Sequence, residues 1–240
     1  MVKNSSSEQL SRNTGVFILV PAYNEEKTVA EVLKELCEMG YKVILVDDGS
    51  QDETYNIVNA LQADYPSRIF IYRHVINRGL GAALKTGMEA SLKNGAEFIV
   101  TFDADGQHDV EDIEGVCHPL IEKKADVVIG SRNFKDMPLS RNLGNYLMNF
   151  LTLIFYGIYV KDSQSGLRAF TAKSTRVLNL NSRGYGVSSE IVSEIKKNNL
   201  KLKEVPIKTI YNSYALSKGT NTSVGLKILA KMFIDIFKKL

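Results

Sequence analysis

The chain alternates short apolar runs with longer amphipathic segments. Runs rich in β-branched residues occur at residues 16–21, 42–47, 68–73, 97–102 and 126–130. Nearly continuous apolar runs of this length are typical of strands that are buried on both faces of a parallel sheet. Each run is separated from the next by enough residues for one helix, which predicts right-handed β–α–β units. The expected fold class is therefore α/β, with a mostly parallel, doubly wound sheet and flanking helices.

The segment between the first two runs shows how a helix is expected to begin and end. Apolar residues recur at helical spacing from Val29 to Leu36, and Gly40 follows them as a stop. Asn24 is predicted to cap this helix at its N-terminus. Later segments predict helices at 81–94 and near 187–198, a strand at 201–210 and a last helix from about residue 224.

Residues 143–160 form a run of eighteen residues without a charged side chain. That length is just sufficient to span a bilayer. However, Asn145, Asn149 and Thr152 fall on one side at helical spacing. This pattern favours a helix that is buried or lies on a membrane surface over one that crosses the membrane.

Composition narrows the class of protein. With 44% hydrophobic and 24% charged residues, the chain matches soluble globular proteins and not disordered, collagenous or coiled-coil ones. Residues 1–14 are polar and lack the apolar stretch of a signal peptide, so we expect a disordered lead-in and no secretion. Cys37 and Cys117 lie far apart with no neighbouring Cys or His cluster, which predicts neither a disulfide nor a zinc site and fits a reducing compartment.

The charge is unevenly placed along the chain. The net charge of +3 is too small to argue for a nucleic-acid partner. From Lys201 onward, however, the chain holds eight lysines and only two acidic residues. Residues 216–240 predict a basic amphipathic helix, with apolar residues on one stripe and Lys227, Lys231 and Lys238 off it. Such a helix suits packing on the core or docking on an anionic membrane surface, and the sequence leaves both open.

Acidic residues follow several of the predicted strands. In an open parallel sheet, ligands bind at the carboxyl ends of the strands. The second strand ends in Asp47 and Asp48, and Asp103 and Asp105 follow the fourth. Helix capping alone would explain a single acid such as Asp109, but a concentration of carboxylates is costly without a cation. Hard oxygen ligands of this kind predict Mg²⁺ or Mn²⁺, which usually completes its shell with water and substrate phosphates.

Five segments, in this order and at these spacings, resemble family 2 of the glycosyltransferases: PAYNEE (21–26), VDDGS (46–50), NRGLGAALKTG (77–87), TFDADGQH (101–108) and GSR (130–132). The likeness covers residues 15–215. The apolar segment followed by DSQSGLRAF (162–170) is similar to the dolichyl-phosphate mannose synthase and polyprenyl-phosphate glycosyltransferase branch. The resemblance implies a GT-A nucleotide-diphospho-sugar transferase fold. It also implies inverting transfer of a sugar from a nucleotide sugar to dolichyl or polyprenyl phosphate, at the cytoplasmic face of a membrane.

The resemblance also assigns roles to residues. Asp103 and Asp105 become the metal-binding pair, and the catalytic residues are Asp105, Arg132 and Arg141. The residues expected at the nucleotide sugar are Pro21, Ala22, Tyr23, Glu25, Asp48, Asp103, Asp105 and Gln107. Those expected at the acceptor phosphate are Arg132, Arg141 and Asn145. An arginine suits the latter task because it presents a planar fork of donors to phosphate oxygens.

One segment departs from the mannose synthases. They typically carry an Arg in a stretch like R-x-x-G-x-S-K, whereas residues 211–219 here keep Ser217 and Lys218 without that Arg. Lys218 is assigned to the donor site, where it would supply a positive charge to the pyrophosphate; a contact with the acceptor and a solvated loop lysine are the alternatives. The loss favours a UDP-sugar, such as UDP-glucose or UDP-N-acetylglucosamine, over GDP-mannose.

Other functions remain open from the sequence. A glycosyltransferase acting on a glycan or protein hydroxyl would need a base, for which Glu190 is the candidate. A non-catalytic nucleotide-sugar-binding subunit that supports a membrane protein is a further alternative. A sugar-1-phosphate nucleotidyltransferase is disfavoured, because its Gly-rich, Arg-containing loop would stand where the chain has PAYNEE. The expected organisation is a lead-in (1–14), a GT-A domain (15–215) and the basic helix (216–240).

Overall fold

The computed structural model describes residues 15–133, 139–182, 186–208 and 210, with only the backbone described for 139–143. These residues contain seven strands and seven helices. The strands are β1 (Val16–Ala22), β2 (Lys42–Asp47), β3 (Ile69–Arg73), β4 (Phe98–Thr101), β5 (Val127–Arg132), β6 (Arg168–Thr171) and β7 (Leu202–Ile207). The helices are α1 (Val29–Glu38), α2 (Thr54–Asp64), α3 (Leu80–Lys93), α4 (Asp112–Ile121), α5 (Leu139–Tyr156), α6 (Ala172–Val177) and α7 (Val187–Lys197).

All seven strands belong to one sheet in the order β3-β2-β1-β4-β6-β5-β7. The pairs β2–β3, β1–β2, β1–β4 and β5–β7 are parallel, whereas β6 runs antiparallel to both β4 and β5. The predicted α/β fold with a mostly parallel sheet is confirmed. The carboxyl ends of the parallel strands share one edge of this sheet, and β6 begins at that same edge.

The core lies in two layers, one on each face of the sheet. Along β1, Val16, Ile18 and Val20 face one layer, and Phe17 and Leu19 face the other. The first layer is completed by α1, α2 and α4, and the second by α3 and α7. Because both faces are covered, successive strand residues are all apolar, which explains the continuous runs in the sequence.

Two local predictions were wrong. Asn24 does not cap α1, which begins only at Val29 after Thr28. Asn24 has a φ of 54°, and its side chain accepts a hydrogen bond from the backbone N–H of Gln51 at 2.9 Å. It therefore ties the loop after β1 to the loop after β2. The strand β6 and the short helix α6 were not predicted at all.

Helix α5 overlaps the uncharged run. Two of its polar side chains are buried, while several of its large apolar side chains are exposed. Asn149 and Thr152 are buried, whereas Tyr146, Phe150 and Ile154 are each more than half exposed. The helix ends at Tyr156, so it does not extend over the whole uncharged run. Among the helices of the described residues, none is long and apolar enough to cross a membrane. The predicted lead-in (1–14) and basic helix (216–240) lie outside the described residues.

Candidate active site

The end of β1 forms one wall of the site. Ala22 is buried and pairs in register with Asp47 of β2, and Tyr23 follows as a side chain that is 40% exposed. The backbone N–H of Glu25 donates to the Thr54 hydroxyl at 2.8 Å. Together with Pro21 of β1, these predicted donor residues therefore lie on the carboxyl edge of the sheet, and Tyr23 supplies an accessible ring there.

Asp48 shapes the neighbouring loop. Its Oδ1 accepts from the backbone N–H of Arg78 at 2.9 Å, and its Oδ2 accepts from that of Gly79 at 2.7 Å. The His74 Nδ1 lies 2.6 Å from the same Oδ1. Gly79 has a φ of 89°, which a residue with a Cβ rarely adopts. Asp48 is thus a buried anchor for the turn into α3, and its predicted contact with the nucleoside stays a prediction.

Asp103 and Asp105 lie in the loop after β4. The Asp103 Oδ2 is 2.9 Å from Nε2 of His108. The backbone N–H of Gln107 donates to Asp105 Oδ1 at 3.0 Å, and the Gln107 side-chain amide donates to Asp105 Oδ2. The predicted donor residue Gln107 therefore orients one member of the carboxylate pair.

The two carboxylates differ in their affinity for protons. Burial acts to raise the pKa of Asp103, but the hydrogen bond from His108 and the charges of Arg168 and Arg132 bring it below its usual value. Burial and the negative charge of Asp103 raise the pKa of Asp105, against hydrogen bonds from Gln107. The pair therefore repels itself in a partly buried place, which a bound cation would relieve.

The donor set fits a divalent cation that is shared with a substrate. No group of three or more His, Cys, Asp or Glu side chains converges as a metal site within the part of the chain that the structure describes. Two carboxylates are nevertheless sufficient for Mg²⁺ or Mn²⁺, because such ions commonly take the rest of their shell from water and substrate phosphates. Asp103 and Asp105 are the residues that would hold the ion.

Arg132, at the end of β5, lines a cleft of about 480 Å³. Lys161 contributes a second positive charge to the cleft, and Tyr146, Phe150 and Leu153 of α5 contribute an apolar wall. Asn145 lies in α5 directly before Tyr146, and the backbone of Arg141 is one turn earlier. The Arg141 side chain lies outside the described residues. The structure thus brings one predicted acceptor residue into a cleft and places the other two on the adjacent helix.

Sequence reasoning missed Arg168, whose side chain is buried in β6. Its guanidinium donates to the Ser163 carbonyl at 3.0 Å. Burial lowers its pKa to about 10, although the charges of Asp103 and Asp162 oppose that shift. The charge of Arg168 therefore acts between Asp103, one of the predicted metal ligands, and Asp162, which is hydrogen-bonded to Arg132. Its only signal in the sequence is its place in the DSQSGLRAF segment.

The structure describes the predicted base candidate Glu190 but not the predicted donor residue Lys218. The Glu190 carboxylate accepts from the backbone N–H groups of Asn181 at 3.0 Å and Ser182 at 2.8 Å, so it holds a loop. Lys218 lies outside the described residues. The chain that leads toward it leaves β7 beside the carboxylate loop, since Ile210 N–H donates to the Gln107 carbonyl at 3.0 Å.

A mixed sheet with a loop of two carboxylates at its carboxyl edge matches the expected GT-A architecture, and the class of protein is decided by comparison with known families. The chain belongs to glycosyl transferase family 2, whose model matches residues 17–180. This membership confirms the family resemblance that the motifs predict.

Relatives are similar over most of the chain, and solved structures share its fold. An uncharacterized protein of Methanocaldococcus jannaschii is 44% identical over 97% of this chain and 96% of its own length. The UDP-N-acetylglucosamine–dolichyl-phosphate N-acetylglucosaminyltransferase of Methanococcus voltae is 40% identical over 91% of this chain and 95% of its own length. The fold is similar to that of glucosyl-3-phosphoglycerate synthase from Mycobacterium tuberculosis, solved with Mn²⁺, UDP and glucosyl-3-phosphoglycerate. That match has a TM-score of 0.69 and 17% identity, and it covers 95% of this chain and 82% of the synthase chain.

Proposed function

We propose that this enzyme transfers N-acetylglucosamine from UDP-N-acetylglucosamine to a dolichyl or polyprenyl phosphate, with inversion at the sugar carbon. The observation that carries the proposal is the cleft beside Arg132, which joins positive charge to an apolar wall. A lipid phosphate has the same two parts, an anionic head and an apolar chain. The similarity to the Methanococcus voltae enzyme, over nearly the full length of both chains, supports the choice of donor and acceptor.

The metal would act on the donor side. Asp103 and Asp105 would hold Mg²⁺ or Mn²⁺, which stabilises the negative charge that develops on a nucleoside diphosphate leaving group. Gln107 fixes the orientation of the Asp105 carboxylate for this purpose. Tyr23, with Pro21, Ala22, Glu25 and Asp48 around it, provides the surface on the same edge on which the nucleoside is expected to rest. Lys218 is the further candidate for contact with the pyrophosphate.

The acceptor needs positioning rather than deprotonation. An oxygen of the lipid phosphate attacks the sugar carbon, and the bond from that carbon to the diphosphate breaks, so that the diphosphate leaves with the electron pair. The attacking oxygen is already anionic, and no general base is required. The loop-holding role of Glu190 supports this view over transfer to a hydroxyl. Arg132, with Arg141 and Asn145 nearby, would orient the phosphate.

The exposed apolar face of helix α5 supports a location of the enzyme at a membrane surface. Its exposed residues Tyr146, Phe150 and Ile154 follow one another at helical spacing and are apolar. We place this face at the boundary of headgroups and acyl chains, with the enzyme peripheral on the cytoplasmic face. The basic segment 216–240 would add attraction to an anionic leaflet. A membrane-protein subunit is a possible partner that would serve the same end.

A transfer assay with purified protein tests the proposal. The protein is incubated with Mg²⁺ or Mn²⁺, a polyprenyl phosphate and one of several labelled nucleotide sugars, and label in the organic phase is measured. UDP-N-acetylglucosamine is expected to give the highest rate, and omission of the lipid phosphate is the control. Label from GDP-mannose alone would refute the donor. Label that appears only on a glycan or protein would refute the acceptor.

A further inference from the structure

Asp162 holds Arg132 at three points. Arg132 Nε donates to Asp162 Oδ2 at 2.7 Å, and Nη2 donates to Oδ1 at 2.8 Å. The backbone N–H of Arg132 also donates to Oδ2, at 3.2 Å. Such a two-point contact between a guanidinium and a carboxylate fixes the plane of the guanidinium. Asp162 is fully buried, whereas 19% of the Arg132 side chain is exposed.

The loop that carries Asp162 is itself fastened from two sides. Glu204 of β7 accepts the backbone N–H groups of Lys161 at 2.8 Å and Asp162 at 3.2 Å. Asn149 of α5 accepts the backbone N–H of Ser163 at 2.9 Å and donates to the Lys161 carbonyl. These hydrogen bonds hold the loop, and with it the Asp162 carboxylate, in one position.

Asp162 occupies only one edge of the guanidinium. A guanidinium has five N–H groups in one plane, and Asp162 takes the one on Nε and one on Nη2. The contact at this edge sets the plane and direction of the guanidinium. Arg132 lines the cleft beside α5, where the phosphate of an acceptor would enter.

We infer that Asp162 is a positioning residue that aims Arg132 at the phosphate of the acceptor. The inference rests on the proposed function, because it takes a lipid phosphate as the ligand of the cleft. Asp162 acts on the acceptor through Arg132 and does not contact substrate, and its charge also acts on the buried Arg168. Its negative charge opposes an incoming anion, so its value lies in orientation and not in attraction. An arginine held this way loses little conformational freedom on binding, which lowers the cost of ordering it.

The first test is a double-mutant cycle on acceptor kinetics. Asp162→Asn removes one acceptor of the fork at almost unchanged volume, and we expect the KM for polyprenyl phosphate to rise at least tenfold while calorimetric UDP affinity stays within twofold. In an Arg132→Ala background, Asp162→Asn should change that KM no further. Glu194→Gln is the matched control, since Glu194 is also a buried acid with a lysine partner, Lys197, and a backbone donor, Asn179. It should leave the KM unchanged.

Chemical rescue distinguishes a positioning role of Asp162 from a merely structural one, because a structural role would not make rescue depend on Asp162. In Arg132→Ala, added guanidinium ion should bind against the Asp162 carboxylate and restore at least a fifth of the lost rate. In the double variant Arg132→Ala, Asp162→Asn, it should restore none. Where Asp162→Asn fails to fold, Arg132→Ala still retains Asp162, and the readout is then rescue by guanidinium ion but not by ammonium ion at the same concentration.

Three outcomes would overturn the inference. They are an unchanged or lower KM in Asp162→Asn, a further loss when the two substitutions are combined, and guanidinium rescue that does not depend on Asp162. A wild-type enzyme that transfers no sugar to lipid phosphate would instead refute the proposed function, and with it the inference. The wild-type assay shows that failure before any variant is made.

Discussion

A Cβ atom added to Gly166 would lie 2.0 Å from Oδ2 of Asp103 and 2.6 Å from its Cγ. The backbone just before β6 therefore passes directly against one member of the carboxylate pair. Ordinary contact between such atoms begins at about 3.5 Å. The Asp103 carboxylate can therefore occupy its position only because residue 166 is a glycine.

Gly166→Ala is accordingly expected to reduce transfer at least tenfold while the protein remains folded. The new methyl group must displace the Asp103 carboxylate, and a misplacement of about 1 Å near a reacting centre can cost on the order of 10²-fold in rate. The fold should tolerate the change, because the displaced atoms end a flexible side chain. Initial rates, Mn²⁺-dependent UDP affinity and thermal unfolding would be measured together.

Gly115→Ala is the control for that substitution. Gly115 lies in α4, and the nearest atom to its added Cβ is a Val205 methyl at 3.7 Å, an ordinary contact. It should keep full activity. Equal rates and equal metal dependence in Gly166→Ala and the wild type would show that the position of Asp103 is not critical.

Asp105→Asn should reduce turnover by about 10²- to 10³-fold, since it removes charge that would hold the metal against the leaving group. It should not destabilise the metal-free protein. Because the pKa of Asp105 is raised in the folded state, its ionised form opposes folding at neutral pH, and the amide relieves that repulsion. The melting temperature without metal should therefore be equal or higher.

The check combines initial rates, EDTA treatment and thermal unfolding. Asp64→Asn, at the exposed end of α2, is the control and should change none of these. Full turnover in Asp105→Asn with EDTA present would contradict the metal role.

The parallel strands could be predicted from the sequence because burial on both faces leaves continuous apolar runs. β6 could not, since it has only four residues and begins with Arg168, a charged residue that is buried. The charge of Arg168 is balanced by Asp162, in the loop just before the strand, and by Asp103, which is distant in sequence. Neither pairing leaves the alternation of apolar residues that marks a strand. The predicted helix cap at Asn24 was wrong for a related reason. Its left-handed backbone conformation allows its side chain to accept a hydrogen bond from Gln51, which lies in a different loop.

In the site as well, some residues could be predicted from local sequence and others could not. Local spacing is sufficient to find Asp103 and Asp105, because both belong to one loop after one strand. The pairing of Arg132 with Asp162 joins positions thirty residues apart, and it depends on a loop held by Glu204 and Asn149. Such contacts are set by tertiary packing and have no local pattern.

Membrane binding should depend on α5. Replacing Phe150 and Ile154 by Glu places charge on a face that is proposed to rest among acyl chains, and we expect flotation with anionic liposomes to fall at least fivefold. Val177→Glu, an exposed apolar position on α6, is the control. Changing Lys227, Lys231, Lys238 and Lys239 to Glu should separately remove the salt-sensitive part of binding, because each lysine near an anionic leaflet contributes about 1 kcal/mol.

Other outcomes of that experiment are informative. If the α5 variant binds liposomes normally but unfolds at a lower temperature, the apolar face is covered by the chain itself, with residues 224–240 as the candidate. Retention of the wild type after alkaline carbonate extraction would contradict a peripheral location.

Both cysteines should be inert in the native enzyme. Burial raises the pKa of the Cys37 thiol to about 11 and that of Cys117 to about 12. At pH 8 few thiolates form, and the side chains are inaccessible. Iodoacetamide should therefore label neither residue in the folded protein and both in denaturant, as read by mass spectrometry. Rapid native labelling with loss of activity would show that one of them is accessible at the site.

The antiparallel strand β6 also acts as a spacer. Because it lies between β4 and β5, the loop of Asp103 and the end that carries Arg132 are two strand spacings apart, about 10 Å. In the proposed reaction both partners are anions, a diphosphate on one side and a phosphate on the other. The energy of Coulomb repulsion is inversely proportional to distance, so charges held two strand spacings apart repel about half as strongly as charges on adjacent strands. The phosphate oxygen can then approach the sugar carbon from one side while the diphosphate leaves from the other, as inversion requires.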